Sequence, residues 1–402
     1  AESGEEKATA RPGTLNVRDF GAIGDGKADD TTAFQKALDA AGKAGGNLVF
    51  VPRGNYLLRD ALEFPEHVVL EGVFRAPTAR RENAGSTLLV AAGAGNADGK
   101  PFITLHQNST LHGLAIFYPE QNIEMPPTPY PWTIRGRGDN CSIVDVLLVN
   151  PYQAVDFGTY PAGRHYIRGL YAHALYRGLF IDKCFDIGRV EDVHFWPFWK
   201  DDPKIHEWVR KEAIAFVIGR TDWEYIRNCF CIFYSIGYHF VRTADGAPNC
   251  VLTQCGADIG PVAVRVDDCQ GHAGLSFVNG QMMAGIEVMA TNTGPVKFTA
   301  CGFWGVEGVT DHHAVLEGAG HITFNGCHFI SWGKKDPQAP AIVARSGGLT
   351  VCACDFMDAG KEQIRLEGGV EAALIYGNRF RGGEKISSKA DGKTCIEANL
   401  AT

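Results

Sequence analysis

Along the second half of the chain, one spacing of apolar and small residues keeps returning. It runs apolar, two variable positions, a small residue, one more, then an aromatic: Phe298-Thr-Ala-Cys301-Gly-Phe303, Phe324-Asn-Gly-Cys327-His-Phe329, Val351-Cys-Ala-Cys354-Asp-Phe356 and Ile375-Tyr-Gly-Asn378-Arg-Phe380. The small position recurs at Cys229, Cys255, Gly280, Cys301, Cys327, Cys354 and Asn378, in steps of 26, 25, 21, 26, 27 and 24 residues by subtraction. Such a period marks stacked repeats, none of which buries its inner face alone. Each repeat holds a second strand, after a variable loop and before a Gly-rich turn. Its inward residue is followed through Ile134, Phe157, Ile181, Ile218, Phe240, Val266, Val288, Leu316, Ala344 and Leu366. Repeats rich in Val, Ile, Phe, Thr and Gly, with no helical period, predict an all-β solenoid of parallel strands.

The N-terminal stretch breaks this pattern. After Gly24-Asp-Gly26, Asp30 is placed to cap a helix in which Phe34, Leu38 and Ala41 fall on one face, and Gly45-Gly46 stops it. An amphipathic helix ahead of stacked strands covers the first coil's open edge. Leu48-Val-Phe-Val-Pro-Arg-Gly-Asn-Tyr56 then reads as the first strand and turn.

Asp19-Phe-Gly-Ala-Ile-Gly-Asp-Gly26 through Pro52-Arg-Gly-Asn-Tyr56 resembles the N-terminal module of the pectate-lyase-like superfamily, which includes rhamnogalacturonases, polygalacturonase relatives, epimerase-type enzymes and phage tailspikes. The resemblance implies a right-handed parallel β-helix with an N-terminal capping α-helix. It carries no catalytic residue: Asp25, Asp29 and Asp30 read as turn and helix-start residues. By resemblance, a homotrimer is the assembly to expect where one forms. The polygalacturonase motifs are not met. Asn292-Thr293 is followed by Gly294, no Arg-Ile-Lys occurs, and Asp267-Asp268-Cys269 shares one coil with Gly271-His272-Ala273 where that family needs a coil between them.

The 402 residues exceed a usual single domain, but a solenoid grows by adding coils. The expected organisation is a flexible segment over 1–13 and one β-helix domain over 14–402, with loop insertions near 117–132 and 196–212. Both insertions arrive just before the second strand and are expected to hang over the same side. A net charge of -8 with scattered Lys and Arg argues against nucleic acid, and no apolar run suits a membrane span. The twelve Cys are expected to be free and buried, because a thiol fits a repeated inward turn. Cys229-x-Cys231 and Cys352-x-Cys354 lack zinc spacing, so no metal site is expected.

Residues beside the inward anchors point outward and stack about 4.8 Å apart. One outward column reads Thr133, Asp156, Phe180, Val217, His239, Arg265, Glu287; the next contains Asp182, Asp267 and Glu317. Carboxylates, guanidiniums and aromatic rings in one trough suit a carbohydrate chain. The expected catalytic groups are Asp156, Asp182, Asp222 and Glu224; the expected substrate-binding groups are Arg220, His239, Arg242, Tyr152, Trp196 and Trp199. Asp156 and Asp182, one coil and two residues apart, come out roughly 8 Å apart at their β-carbons, which suits an inverting glycosidase. The bland readings are that Asp156 and Asp182 form turns, that Asp222 bridges Arg220, that Arg265 and Glu287 are a cross-strand ion pair and that the tryptophans pack an insertion.

The first expectation is therefore a glycoside hydrolase acting on a polysaccharide or oligosaccharide without a cofactor. The second is a uronate-directed lyase or epimerase, with Ca²⁺ as a candidate cofactor for a lyase. The third is a non-catalytic glycan-binding or tailspike-like protein. A start at Ala1 fits a processed secretory chain and a trimmed one equally, so the expected location, secreted or periplasmic, rests on function.

Overall fold

The computed structural model describes residues 13–74, 85–306 and 309–402. The flexible segment expected over 1–13 lies almost wholly outside the described residues, as does the basic stretch 75–81. The described chain forms parallel strands that pair only with the coil before and the coil after. Each full coil has three strands, not two. In one coil the chain runs through Ile236–Phe240 on the first face, Cys250–Thr253 on the second and Gly256–Asp258 on the third, before returning as Val262–Val266. In-register pairing links Phe240 to Val266, Leu252 to Phe277 and Ala257 to Met282.

The third strand was hidden because the recurring motif is itself bent. Between Phe298 on the second face and Phe303 on the third, Ala300 takes a left-handed conformation at φ 53°. Asn228, Gln254, Asn279 and Ala353 do the same at φ 52° to 56°. A single left-handed residue turns the strand through a corner, and the residue after it points into the angle, where only a small side chain fits. There the thiols reach the neighbouring coil: Cys255 Sγ donates to the Ile226 carbonyl (3.6 Å), Cys327 Sγ to Phe298 (3.4 Å) and Cys354 Sγ to Phe324 (3.5 Å). Asn378 continues the ladder with an amide, donating to Val351 at 2.9 Å. All twelve cysteines are free thiols. Beyond the corner, rings stack along the axis, Phe303 on Phe329 at 4.9 Å and Phe329 on Phe356 at 4.7 Å.

Helix α1 (Thr31–Lys43) covers the first coils with Phe34, Ala37, Leu38 and Ala41 buried, and Gly45 and Gly46 end it at positive φ. Its capping differs from the expectation. Asp30 makes no side-chain cap; its carboxylate takes the amides of Ile23 (2.6 Å) and Gly24 (3.0 Å), while Asp29 accepts from the Thr31 amide at 3.0 Å. Both insertions fall at the corner between the third and first faces. The later one forms helix α2 (Pro203–Glu212), whose Lys204 meets Glu124 of the earlier one at 2.7 Å. Trp208 fixes α2 to the body through Nε1 and the Leu175 carbonyl, 2.8 Å. Among the described residues, no helix is long and apolar enough to cross a membrane.

Candidate functional site

The first face presents the outward column expected from the sequence, with one slip at its start. Arg135, not Thr133, stands beside Asp156, followed in register by Phe180, Val217, His239, Arg265, Glu287, Val315, Val343 and Arg365. The slip arises because the inward position opposite Phe157 is Gly136, whose missing Cβ is replaced by the Phe157 ring. A glycine there removes the apolar signal that would have set the register.

Asp156 points outward but is closed over. Its Oδ1 accepts from the Gly158 and Thr159 amides (2.9 and 2.8 Å), its Oδ2 from Arg135 Nε and the Thr159 hydroxyl (both 2.6 Å). The Phe180 ring fills the space beside Gly158, stacked with Trp132 at 6.4 Å. The carboxylate is fully buried, so it has no side open to a sugar and acts as a turn former. Asp182 is 4% exposed and ties turns together, its Oδ1 accepting from the Arg220 amide (2.6 Å) and the Thr243 hydroxyl (3.0 Å). Asp222 is half-buried and held by Arg220 and by Gln270 (3.1 Å). Burial raises its pKa, but the Arg220 and Gln270 hydrogen bonds outweigh that and hold it below the usual carboxylate range. Glu224 faces inward, fully buried on the second face in register with Cys250, where it meets His165. The expected catalytic set is thus not one open pair: Asp156 and Glu224 are sealed, and Asp182 is committed to turn hydrogen bonds.

The tryptophan expectations are corrected in the same way. Trp196 packs against His194 (4.2 Å), Tyr171 and Phe198 on the third face, away from the first-face column. Trp199 donates its amide to His173 Nδ1 at 3.3 Å and packs on the core. Tyr152 stacks on Tyr176 at 4.9 Å, and Arg177 lies over Tyr176 at 3.6 Å while donating to the Glu212 carbonyl at the end of α2 (2.9 Å). Arg220 and Arg242 sit at the turns leaving the first face; Arg242 clasps Asp268 at 2.7 Å.

The groups that remain open on the first face lie three coils along. His239 Nε2 meets Asp267 Oδ2 at 2.8 Å, Arg265 Nε donates to Asp267 Oδ1 at 2.9 Å, and Arg265 reaches Glu287 at 3.7 Å. Side-chain exposures of 16, 32, 34 and 40% for His239, Asp267, Arg265 and Glu287 leave this cluster accessible where Asp156 is not. Burial raises the Asp267 pKa, but the hydrogen bonds from His239 and Arg265 outweigh it and bring the net value down. A carboxylate accepting from Nε2 fixes that nitrogen as the N–H and leaves Nδ1 as the basic one. Asp267 and Arg265 were legible in the outward columns. What the sequence hid was that one carboxylate serves both His239 and Arg265.

Beneath the surface, His165, Cys184 and Glu224 form a second cluster, all buried, with one ligand atom from each within 4.8 Å of the others. Among the described residues this is the one group of His, Cys and acidic side chains close enough together to hold a metal ion.

With this geometry in view, similarity to known proteins follows the fold more than the site. Residues 14–123 match the family model described as rhamnogalacturonase A/epimerase, pectate lyase-like. Alginate lyase 7 of Azotobacter vinelandii is 66% identical over 41 residues, covering 10% of this chain and 5% of that protein, so the chain spans only a small fraction of such relatives. Solved structures of differing kinds align over 96% of the chain. The A-module of mannuronan C-5 epimerase AlgE6 from A. vinelandii has a TM-score of 0.55 at 16% identity, over 99% of its length. The tailspike of the E. coli bacteriophage HK620, in complex with a pentasaccharide, has 0.61 at 12% identity, over 78%. The N-terminal match and the whole-chain likeness agree on one architecture: the chain is a right-handed parallel β-helix whose residues 14–123 match a pectate lyase-like family model.

Proposed function

We propose that this protein acts on a uronate-containing polysaccharide by abstracting the proton at C5, as a lyase or an epimerase. The observation that carries this reading is the shared carboxylate of Asp267, which orients His239 as a base and positions Arg265 beside it on an open face. A uronate needs its carboxylate neutralised before C5 becomes acidic enough to lose a proton. Arg265 and the neighbouring Arg242 supply positive charge, and His239 Nδ1 takes the proton. In a lyase the resulting carbanion expels the group at C4; in an epimerase a proton returns on the opposite face. The relatives named as alginate lyase and mannuronan epimerase support this ordering over hydrolysis. Hydrolysis needs two open carboxyls, and Asp156 with Asp182 does not provide them.

Incubation with polymannuronate, polyguluronate, pectate and neutral glycans in D₂O tests this. On a uronate polymer the expected result is either deuterium at C5, the mark of an epimerase that returns a solvent-derived proton, or the ultraviolet absorbance of a 4,5-unsaturated end, the mark of a lyase. New reducing ends with neither signal would overturn it in favour of hydrolysis. His239→Gln is expected to lower turnover about 10²–10⁴-fold, the usual worth of a general base. Chelation in the same assay tests the Ca²⁺ expectation. A non-catalytic glycan binder, the reading that the pentasaccharide-bound tailspike favours, would retain polymer without converting it.

A further inference from the structure

Inside the solenoid, three chemically unlike side chains converge from successive turns of the chain. His165 stands just before the strand Tyr166–Ala172, Cys184 at the turn leaving the next strand, and Glu224 at the head of the strand Glu224–Arg227. All three are buried, His165 and Glu224 completely. His165 Nδ1 lies 2.8 Å from the Ala162 carbonyl, which only accepts, so Nδ1 carries a proton. A neutral ring then presents the lone pair of Nε2 to Glu224 Oε1, 2.9 Å away. Two acceptors facing each other need a cation between them. A shared proton meets that need for one pair of atoms only. Glu224 Oε2 is buried with no hydrogen-bond partner, and the Cys184 thiol stands within the same group. Gly188 packs directly against both: a Cβ there would lie 2.1 Å from Oε2 and 2.5 Å from Nε2, so only glycine lets the two groups take these positions.

We infer that His165, Cys184 and Glu224 bind a structural zinc ion. Imidazole, thiolate and carboxylate are the donor types zinc takes together, whereas calcium and magnesium select oxygen alone. With a divalent ion, one thiolate and one carboxylate, the buried centre sums to zero charge, which removes the penalty for an unpaired buried ion. The Ala162 carbonyl is the outer-sphere acceptor that fixes the tautomer of a ligating histidine. The ion pins the coils that flank the longest excursion of the chain, the insertion that carries α2.

The site is closed, so zinc enters as the chain folds. The test uses the full chain. As purified from zinc-supplemented culture it should carry about one zinc per chain by elemental analysis. After unfolding in chelator and refolding with Co²⁺, it should show the thiolate-to-cobalt charge-transfer band. Cys184→Ser keeps the shape and the hydrogen bond to the Asp186 carbonyl (3.5 Å), and should lower the metal content at least about tenfold and remove the band. The thermal midpoint of the wild type should be higher when refolded with zinc than without, and that of Cys184→Ser should not respond. Wild type that contains no zinc, gives no cobalt band and melts identically with and without zinc would overturn the inference and leave a proton-bridged His165–Glu224 pair.

Discussion

Asp156 shows how a residue expected to react becomes one that holds structure. Its two oxygens accept four hydrogen bonds, one of them from Arg135, which has no other acidic partner in the column. Asp156→Ala leaves that guanidinium half-buried and unpaired, so unfolding in denaturant should show a loss of about 3 kcal/mol, the range for breaking a buried pair. Turnover per folded molecule should be unchanged, because the carboxylate never meets a substrate. The outward direction of Asp156 was legible from alternation along its strand. Its closure was not, because Thr159 and the Phe180 ring reach it only once the coils are stacked, and no local pattern announces that. Glu224 failed for the opposite reason. A charged residue two places after Asp222 reads as part of a surface turn, yet it begins a strand with its side chain turned inward, where alternation alone predicts an apolar residue. His165 and Cys184 lie 59 and 40 positions before it, beyond the reach of any motif based on spacing.

At the scale of the element, the corner between the second and third faces governs both what was found and what was missed. The period was visible because the residue after the corner must be small. The corner itself was hard to read because its left-handed position is announced by asparagine or glycine only in some coils, at Asn228, Asn279, Gly326 and Gly377, while Ala300 and Ala353 hold it in others. Those alanines hold a conformation that costs an L-residue about 1 kcal/mol. Ala353→Gly should therefore raise stability by up to about 1 kcal/mol, less the entropy glycine adds to the unfolded chain, read as a shift in denaturation midpoint with unchanged slope. The lengths of the insertions were legible from their Pro and Trp content, and their common side from their common place in the repeat. That Trp196 and Trp199 fasten the insertion down rather than face the trough depends on packing against Tyr171 and His173, which are far from obvious partners in sequence.

For the molecule as a whole, stability should depend on pH through histidines that burial, complete for His173 and His313 and partial for His194, holds without charge. Burial lowers His173 to about 3, with His206 adding to the effect; it also lowers His194 to about 4 and, as the largest of several effects, His313 to about 4. Each folded value lies below the ordinary 6.5, so the stabilisation is complete above pH 6.5 and is lost as pH falls toward about 4. Asp267, whose folded pKa is also depressed, adds a further loss below the ordinary carboxylate value of 3.8. Thermal midpoints measured across this window should fall steadily with acid, and His313→Gln should flatten the slope. A midpoint that stays constant from neutral pH to about 4 would contradict the neutral burial of these rings.

The sulfur ladder gives the protein its own record of opening. Ten of the twelve sulfhydryls are sealed, while Cys352 and Cys395 are only partly covered. A small alkylating reagent in native buffer should thus mark those two within minutes, and each remaining one only when its own rung lets go. Mapped by mass spectrometry over time, the order of labelling reads out whether the coils peel from one end or part in the middle.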